Sequence, residues 1–153
     1  MKTPSSKPKL SGKSMRIAII LARYNDGIGG ELLKNTRAAL ISHGVKASDI
    51  KVVRVPGAME LPLAAKLAAR ANNCDAIIAL GVVIKGETAH FEHVCRESLR
   101  GLMDVGLETL TPVIFGVITA YSVAQARERA DKNKLNKGRE YAETAIEMAG
   151  LKI

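Results

Sequence analysis

Residues 81–94, GVVIKGETAHFEHV, contain the side chains best suited to chemistry. The segment begins as an apolar, strand-like run, breaks at Gly86 and continues as a helix. A turn of this kind after a buried strand directs free backbone N–H groups toward a helix N-terminus, which suits a phosphate or another small anion. His90 lies beside the turn and can accept and donate a proton at physiological pH. We therefore predict an active-site loop in which an anion cradle and an acid–base group serve one substrate.

A metal site is the alternative use of this segment. His90, His93 and Glu97 share one face of the predicted helix. Two histidines and one carboxylate without a recognisable zinc signature do not make a zinc motif, so we predict no metal site and favour acid–base use of His90. His93 is expected to be a surface or packing residue.

Three other charged residues stand at positions that could meet a ligand. Glu60 begins a helix after a strand, where it is either an ordinary N-terminal acid or a ligand contact. Arg127 and Arg129 are two residues apart and point to different helix faces. One of them is expected to face solvent, while the other can reach a neighbour's anion.

The string NDGIGG, residues 25–30, resembles a dinucleotide-binding loop. Leu32 stands where the third glycine of that loop is required, which argues against a dinucleotide site. We expect Gly27 and Gly29 to permit a tight turn and a close backbone approach instead.

Strand-like runs alternate with helical stripes from Met15 onward. The runs are MRIAIILA, IKVVRV, DAIIALGVVI and PVIFGVIT, and a last helix, roughly residues 137–149, carries Tyr141, Ala145 and Met148 as a core-facing stripe. Strands separated by helices pair in parallel through right-handed crossovers. We predict an α/β fold, a three-layer α/β/α sandwich of flavodoxin-like type with a four-stranded parallel sheet. Its loops should meet at the carboxyl ends of the strands, and its open edges favour oligomerisation.

The composition favours one folded domain with a basic tail. A chain of 153 residues that is 47% hydrophobic supports one complete core. The net charge of +8 comes largely from residues 1–16, which hold five basic and no acidic residues. We expect residues 1–14 to form a flexible basic tail and residues 15–153 a single domain with no nucleic-acid partner.

Membrane association and secretion are also unexpected. No apolar run approaches the roughly 20 residues that span a bilayer, and the N-terminal stretch lacks a signal-peptide core. Cys74 and Cys95 have neither metal-knuckle nor redox-pair spacing, so we predict two buried free thiols. The expectation is a soluble, cytoplasmic protein without a membrane partner.

Six strings give the chain a family resemblance. In order and spacing, ARYND, VPGAMELPLAAKLA, DAIIALGVVIKGETAHFEHV, TPVIFGVIT, ARERA and NKG resemble the lumazine synthase family of riboflavin biosynthesis, over about residues 16–149. The resemblance implies condensation of 5-amino-6-(D-ribitylamino)uracil with 3,4-dihydroxy-2-butanone 4-phosphate, releasing phosphate and water, with no cofactor. It also implies a homopentamer, or twelve pentamers in an icosahedral shell, with active sites between neighbouring chains. Riboflavin synthase is a further partner that it suggests.

The resemblance also implies a set of site residues within one chain. The uracil and ribityl contacts would be Tyr24, Asn25, Ala58, Met59, Glu60, Val83 and Ile84. Tyr24 would stack on the pyrimidine ring and Glu60 would bond the ribityl hydroxyls. The phosphate would bind Gly86, Glu87 and Thr88, and His90 would transfer protons.

A neighbouring chain would complete the site. Phe115 would cover the ring, Arg129 would pair with the phosphate, and Lys137 would reach the pyrimidine side.

Several positions depart from the family pattern. Met59 replaces a common aromatic residue, Lys85 an Arg, His93 a Tyr and Asp131 a Gly, and we expect these changes to alter substrate affinity. Residues 132–135 differ from shell-forming members, so the pentamer is better supported than the shell. A non-catalytic flavin- or lumazine-binding oligomer is one alternative, which the retained His90 and Arg129 oppose. An archaeal-type riboflavin synthase is another, which the GETAH loop and Arg129 oppose because they favour a phosphorylated substrate.

Overall fold

The computed structural model describes residues 8–153. Its strands and helices, in chain order, are β1 (Ile17–Ala22), α1 (Asp26–Ser42), β2 (Ile50–Val55), α2 (Leu61–Arg70), β3 (Ala76–Ile84), α3 (His90–Thr109), β4 (Val113–Ala120), α4 (Val123–Ala130) and α5 (Lys137–Ala149). Short 3₁₀ helices at Ala47–Asp49 and Ala58–Glu60 precede β2 and α2. The bounds predicted for the last helix are confirmed.

The strands within residues 8–153 form one parallel sheet in the order β2-β1-β3-β4. Ile17 pairs with Ile50 of β2 on one side and with Ala76 of β3 on the other. Ile77 of β3 pairs with Val113 of β4. Each connection between consecutive strands contains a helix, as the long spacing between the strand runs predicted. The predicted α/β fold is confirmed.

Side chains of the central strands alternate between two apolar layers. Ile17, Ile19 and Leu21 pack in one cluster with residues of α1, α4 and α5. Ala18 and Ile20 pack in a second cluster with residues of α2 and α3. Because successive strand residues face opposite sides of a sheet, both faces of β1 are buried and the sheet lies between two helical layers. The predicted three-layer arrangement is therefore confirmed.

Helix α1 contains the glycines that were predicted to form a tight turn. It starts at Asp26, so the glycines of NDGIGG lie in its first turns and do not form a tight turn. A Cβ at Gly27 or Gly30 would have no atom within 4 Å, and one at Gly29 would meet Leu21 at an ordinary 3.4 Å. The chain instead turns at Asn25, whose φ is 59°. Asparagine tolerates this left-handed conformation, which explains why the turn needs no glycine.

Two burial predictions were wrong. Met148 is 40% exposed, while its stripe partners Tyr141 and Ala145 pack against the core. Cys74 and Cys95 are free thiols, as predicted, but each is only half-buried. Burial still raises the pKa of both thiols, so neither is an activated thiolate.

The predicted basic tail falls partly outside the described residues, which exclude 1–7. Residues 8–14 contain no helix or strand. Leu10 packs against the core, and the Gly12 N–H donates to the His43 carbonyl at 2.7 Å. None of the helices within residues 8–153 is long and apolar enough to cross a membrane.

The close approach of α5 to α1 generates a stability prediction. A Cβ at Gly138 would lie 2.9 Å from the Leu32 carbonyl oxygen and 2.9 Å from the Thr36 backbone nitrogen. Because both contacts are to backbone, Gly138→Ala should lower the free energy of unfolding by about 1–3 kcal/mol. The measurement is urea unfolding at one fixed protein concentration.

Gly30→Ala is the matched control, since it adds the same methyl group to α1 where there is open space. It should leave stability unchanged or raise it by up to about 1 kcal/mol, because alanine is the better helix former. Equal losses in the two variants would contradict the close-packing account.

Candidate active site

Parallel pairing brings the carboxyl ends of all four strands to one edge of the sheet. We call the residues there, 23–25, 56–60, 85–90 and 121–122, the rim. Two backbone hydrogen bonds extend the strand pairing into it. The Arg23 N–H donates to the Val55 carbonyl at 2.9 Å, and the Lys85 N–H donates to the Ala120 carbonyl at 2.9 Å.

Tyr24 and Glu60 lie together on the rim over Gly57. A Cβ at Gly57 would come within 3.1 Å of the Tyr24 ring and 3.2 Å of a Glu60 carboxylate oxygen. The absent side chain thus lets both groups rest on the backbone. The Tyr24 side chain is 71% exposed and offers its ring to a ligand. Next to Glu60, Ala58 is buried and Met59 is exposed.

Glu60 was predicted to be either an ordinary N-terminal helix acid or a ligand contact. This residue is the N-cap of α2, yet its side chain makes no capping hydrogen bond to the helix. Its carboxylate is therefore not used as a helix cap and remains beside the Tyr24 ring. A carboxylate in this position can accept hydrogen bonds from ligand hydroxyls.

Asn25 ties the first loop to the third strand. Its Nδ2 donates to the Val82 carbonyl at 3.0 Å, and its left-handed backbone turns the chain into α1. The side-chain amide thus has a structural partner within the chain. Asn25 consequently fixes the direction in which the neighbouring Tyr24 side chain projects.

The predicted anion cradle and proton carrier are adjacent. Residues 85–90 are exposed, and the Thr88 hydroxyl accepts a hydrogen bond from the His90 N–H at 3.3 Å. Ala89 is the N-cap of α3 and has no side-chain capping bond. The first backbone N–H groups of a helix lack carbonyl partners within it, so this end of α3 suits an anion. His90 begins the helix at the same place.

Val83 and Ile84 do not present their side chains to the same side. Val83 packs with the α2 and α3 layer, whereas Ile84 packs with the α1, α4 and α5 layer. A ligand that lies on one face of the sheet would meet only one of these two side chains.

Phe115, Arg129 and Lys137 belong to β4 and the two helices after it, and Phe115 lies away from the rim. Phe115 pairs with Ala79 in the middle of the sheet. It stands five residues before the end of β4, which corresponds to about 16 Å at roughly 3.3 Å per residue. Arg129 is half-buried on α4, where its Nη1 donates to the Gln125 carbonyl at 3.1 Å.

Lys137 begins α5, one turn before Tyr141. The Tyr141 ring lies against Gly116 of β4, where an added Cβ would be 3.1 Å from Cδ2. Burial raises the pKa of Tyr141 to about 12, so this phenol stays neutral at physiological pH. β4 is an outer strand of the sheet, and its Gly116 is met by Tyr141, which lies near Arg129 and one turn after Lys137. We call this side of the sheet, with Phe115, Arg129 and Lys137, the β4 edge.

The two arginines of α4 are separated as predicted. Arg127 is exposed and lines a groove of about 600 Å³ between the first turns of α1 and α4. Of the predicted site residues, only Asn25 lines this groove. Arg129 faces elsewhere, so the groove and the predicted phosphate clamp are different places.

One rim cluster was not singled out by the sequence. Lys85 Nζ lies 5.5 Å from the centre of the Tyr121 ring and 3.5 Å from Glu92 Oε1. The Phe91 and Tyr121 rings are 6.0 Å apart. The available signals were an aromatic residue just after the last strand and an acid in the first turn of a helix, both common on protein surfaces.

His90, His93 and Glu97 do not assemble a metal site. Arg100 binds Glu97 at 2.7 Å, and this hydrogen bond lowers the pKa of the Glu97 carboxyl. Within residues 8–153, no group of three or more His, Cys, Asp or Glu side chains is placed to hold a metal ion.

One protein family matches nearly the whole chain in sequence. The sequence model of the 6,7-dimethyl-8-ribityllumazine synthase family matches residues 14–152, nearly the whole chain. The match includes every strand and helix described above and both groups of predicted site residues. The chain therefore belongs to the 6,7-dimethyl-8-ribityllumazine synthase family.

Proposed function

We propose that this protein condenses 5-amino-6-(D-ribitylamino)uracil with 3,4-dihydroxy-2-butanone 4-phosphate to form 6,7-dimethyl-8-ribityllumazine, phosphate and water. The proposal is carried by the set of side chains that lie together on the rim of this family member. An exposed aromatic ring beside a carboxylate, at Tyr24 and Glu60, stands on the same edge as the N-terminus of α3 with His90. The aromatic ring and the carboxylate suit a substrate ring with a polyhydroxyl chain. The helix N-terminus and His90 suit a phosphate ester.

The chemistry requires proton movement and anion stabilisation more than a strong nucleophile. The substrate amine adds to the ketone and water leaves, phosphate is then eliminated, and the ring closes with loss of a second water. Each step moves protons, which His90 can accept and return. The backbone N–H groups around Gly86 and Thr88 would stabilise the departing phosphate, and holding both substrates together supplies much of the acceleration.

A second copy of the chain is needed to complete this site. Phe115, far from its own rim, cannot cover a ring that rests on Tyr24 of the same chain. If the β4 edge of one chain meets the rim of another, Phe115, Arg129 and Lys137 can reach that ligand. We infer that the site is shared between neighbouring chains of a homo-oligomer, with the pentamer as its smallest closed form.

The outer faces of α2 and α3 support an oligomer. Large apolar side chains there are strongly exposed in one chain: Leu63 68%, Leu67 64%, Met103 58% and Leu107 68%. They recur at intervals of four residues on each helix and so form stripes. Exposed apolar stripes of this kind usually mark interaction surfaces. Their burial by neighbouring copies would stabilise the assembly that the site requires.

His90→Ala should reduce turnover while leaving assembly intact. The His90 side chain is exposed on the rim and contributes little to the core, so its loss removes proton transfer without unfolding the chain. We expect kcat to fall by about a hundredfold. The measurement is lumazine absorbance on samples whose mass is checked by light scattering.

His93→Ala is the matched control, because His93 is exposed one turn further along α3. It should keep near-normal kcat. Unchanged turnover in His90→Ala would remove His90 from the mechanism. Binding of both substrates by the unaltered protein without any lumazine would instead favour a non-catalytic binding oligomer.

Arg129→Ala should chiefly raise KM for the butanone phosphate. Loss of a charge-assisted contact of about 1.5–3 kcal/mol corresponds to an increase of roughly tenfold or more. KM for the uracil substrate should change much less, as steady-state kinetics with each substrate varied in turn will show.

Arg127→Ala removes an equal charge from the same helix but from the groove side. It should leave both KM values close to normal. A similar rise in the two variants would mean a general electrostatic effect and no specific clamp.

A further inference from the structure

The loop proposed to bind phosphate carries acids as well as donors. Lys85 precedes it, Glu87 lies within it, and Glu92 stands in the first turn of α3. One cation against two carboxylates is an unfavourable local balance for binding a dianion. Phosphate binding therefore requires that these carboxylates be neutralised or held away from the anion.

Glu92 is the acid best placed to interfere. It is the third residue of α3, a position from which a glutamate can reach back and accept from the N-cap N–H. That N–H belongs to Ala89, in the group of donors proposed for phosphate. A carboxylate there would occupy the donors and repel an incoming anion.

Glu92 is held elsewhere by Lys85. The Lys85 Nζ lies 3.5 Å from Glu92 Oε1, and both side chains are a little under half exposed. The lysine thus joins the end of β3 to the start of α3 across the loop. The pair therefore engages the Glu92 carboxylate with a cation at the end of β3.

Lys85 is itself oriented by its surroundings. Its backbone N–H donates to the Ala120 carbonyl at 2.9 Å, and its ammonium lies 5.5 Å from the Tyr121 ring centre. Tyr121 is fixed in turn, because its N–H donates to Gln125 Oε1 at 2.8 Å and its ring meets Phe91. These contacts restrict the lysine to the side of the loop where Glu92 lies.

We propose that Lys85 is a positioning residue that holds Glu92 away from the N-terminus of α3 and neutralises its charge, and so sets the affinity of the loop for the phosphorylated substrate. The inference rests on the proposed function for the identity of that substrate. Lys85 acts here through Glu92 and not as a direct phosphate ligand. The two roles make different predictions for a double variant.

Lys85→Met should raise KM for the butanone phosphate about three- to tenfold, because Glu92 is then unpaired beside the anion site. KM for the uracil substrate and kcat should stay within about twofold, since neither depends on the phosphate donors. Glu92→Gln alone should leave KM for the phosphate substrate unchanged or lower.

The double variant Lys85→Met/Glu92→Gln decides between the roles. Restoration of KM to within about twofold of the unaltered protein is the result expected if Lys85 acts through Glu92. A KM that stays as high as in Lys85→Met would overturn the inference, because it would mean that the lysine contacts phosphate directly. Equal rises in both substrates' KM values would also overturn it, as the sign of a general structural defect.

Lys66 and Glu108 provide the matched control pair. They join α2 to α3 at 2.9 Å, outside the rim, and Lys66 is as exposed as Lys85. Lys66→Met, alone or with Glu108→Gln, should leave KM for the phosphate substrate unchanged. A rise there equal to that in Lys85→Met would contradict a local effect.

Inorganic phosphate separates this inference from the proposed function. Its Kd, measured by calorimetry on all four proteins of the Lys85 cycle, should follow the same pattern of loss and recovery. If the unaltered protein makes no lumazine but the pattern appears, the positioning role stands and the activity does not. If lumazine forms but phosphate affinity does not follow the pattern, the activity stands and the positioning role fails.

Discussion

The parallel register of four strands is the constraint on which this molecule depends. Because β1 and β3 are buried on both faces, their apolar side chains fix the sheet between two helical layers. A parallel sheet ends every strand at the same edge, so burial of the core also determines where the loops meet. The hydrogen bonds from Arg23 to Val55 and from Lys85 to Ala120 carry that order into the rim. The contacts that stabilise the fold therefore also position the candidate site residues on the rim.

The same sheet order separates two parts of the predicted site. The rim faces one direction, while Phe115 lies midway along an outer strand and Arg129 lies on α4. Bringing Phe115 to the rim of its own chain would require unpairing β4. Under the proposed function, assembly and catalysis are therefore one requirement, and the apolar stripes on α2 and α3 supply a driving force for it. Lys85 has a smaller electrostatic effect on anion affinity at the loop. There, carboxylates lie close in sequence to the backbone N–H groups proposed to bind the phosphate.

Much of the fold was predictable because it follows from periodicity. Apolar runs such as IAIILA and AIIALGVVI indicate buried parallel strands, and the stripe with Tyr141 and Ala145 indicates the last helix. The start of α1 was not predictable from the glycines, because asparagine can adopt the left-handed turn that was assigned to them. The Lys85, Glu92 and Tyr121 cluster was also missed. It depends on side chains from three elements, whose proximity only the tertiary structure specifies.

The most direct test of the shared site is complementation between two impaired variants. His90→Ala and Arg129→Ala chains would be dissociated, mixed in equal amounts and reassembled, and lumazine formation measured at low butanone phosphate. If each site takes His90 from one chain and Arg129 from its neighbour, random assembly restores about one quarter of the sites, with activity well above either variant alone. If both residues serve a site within a single chain, mixing restores nothing, and that result would contradict the account.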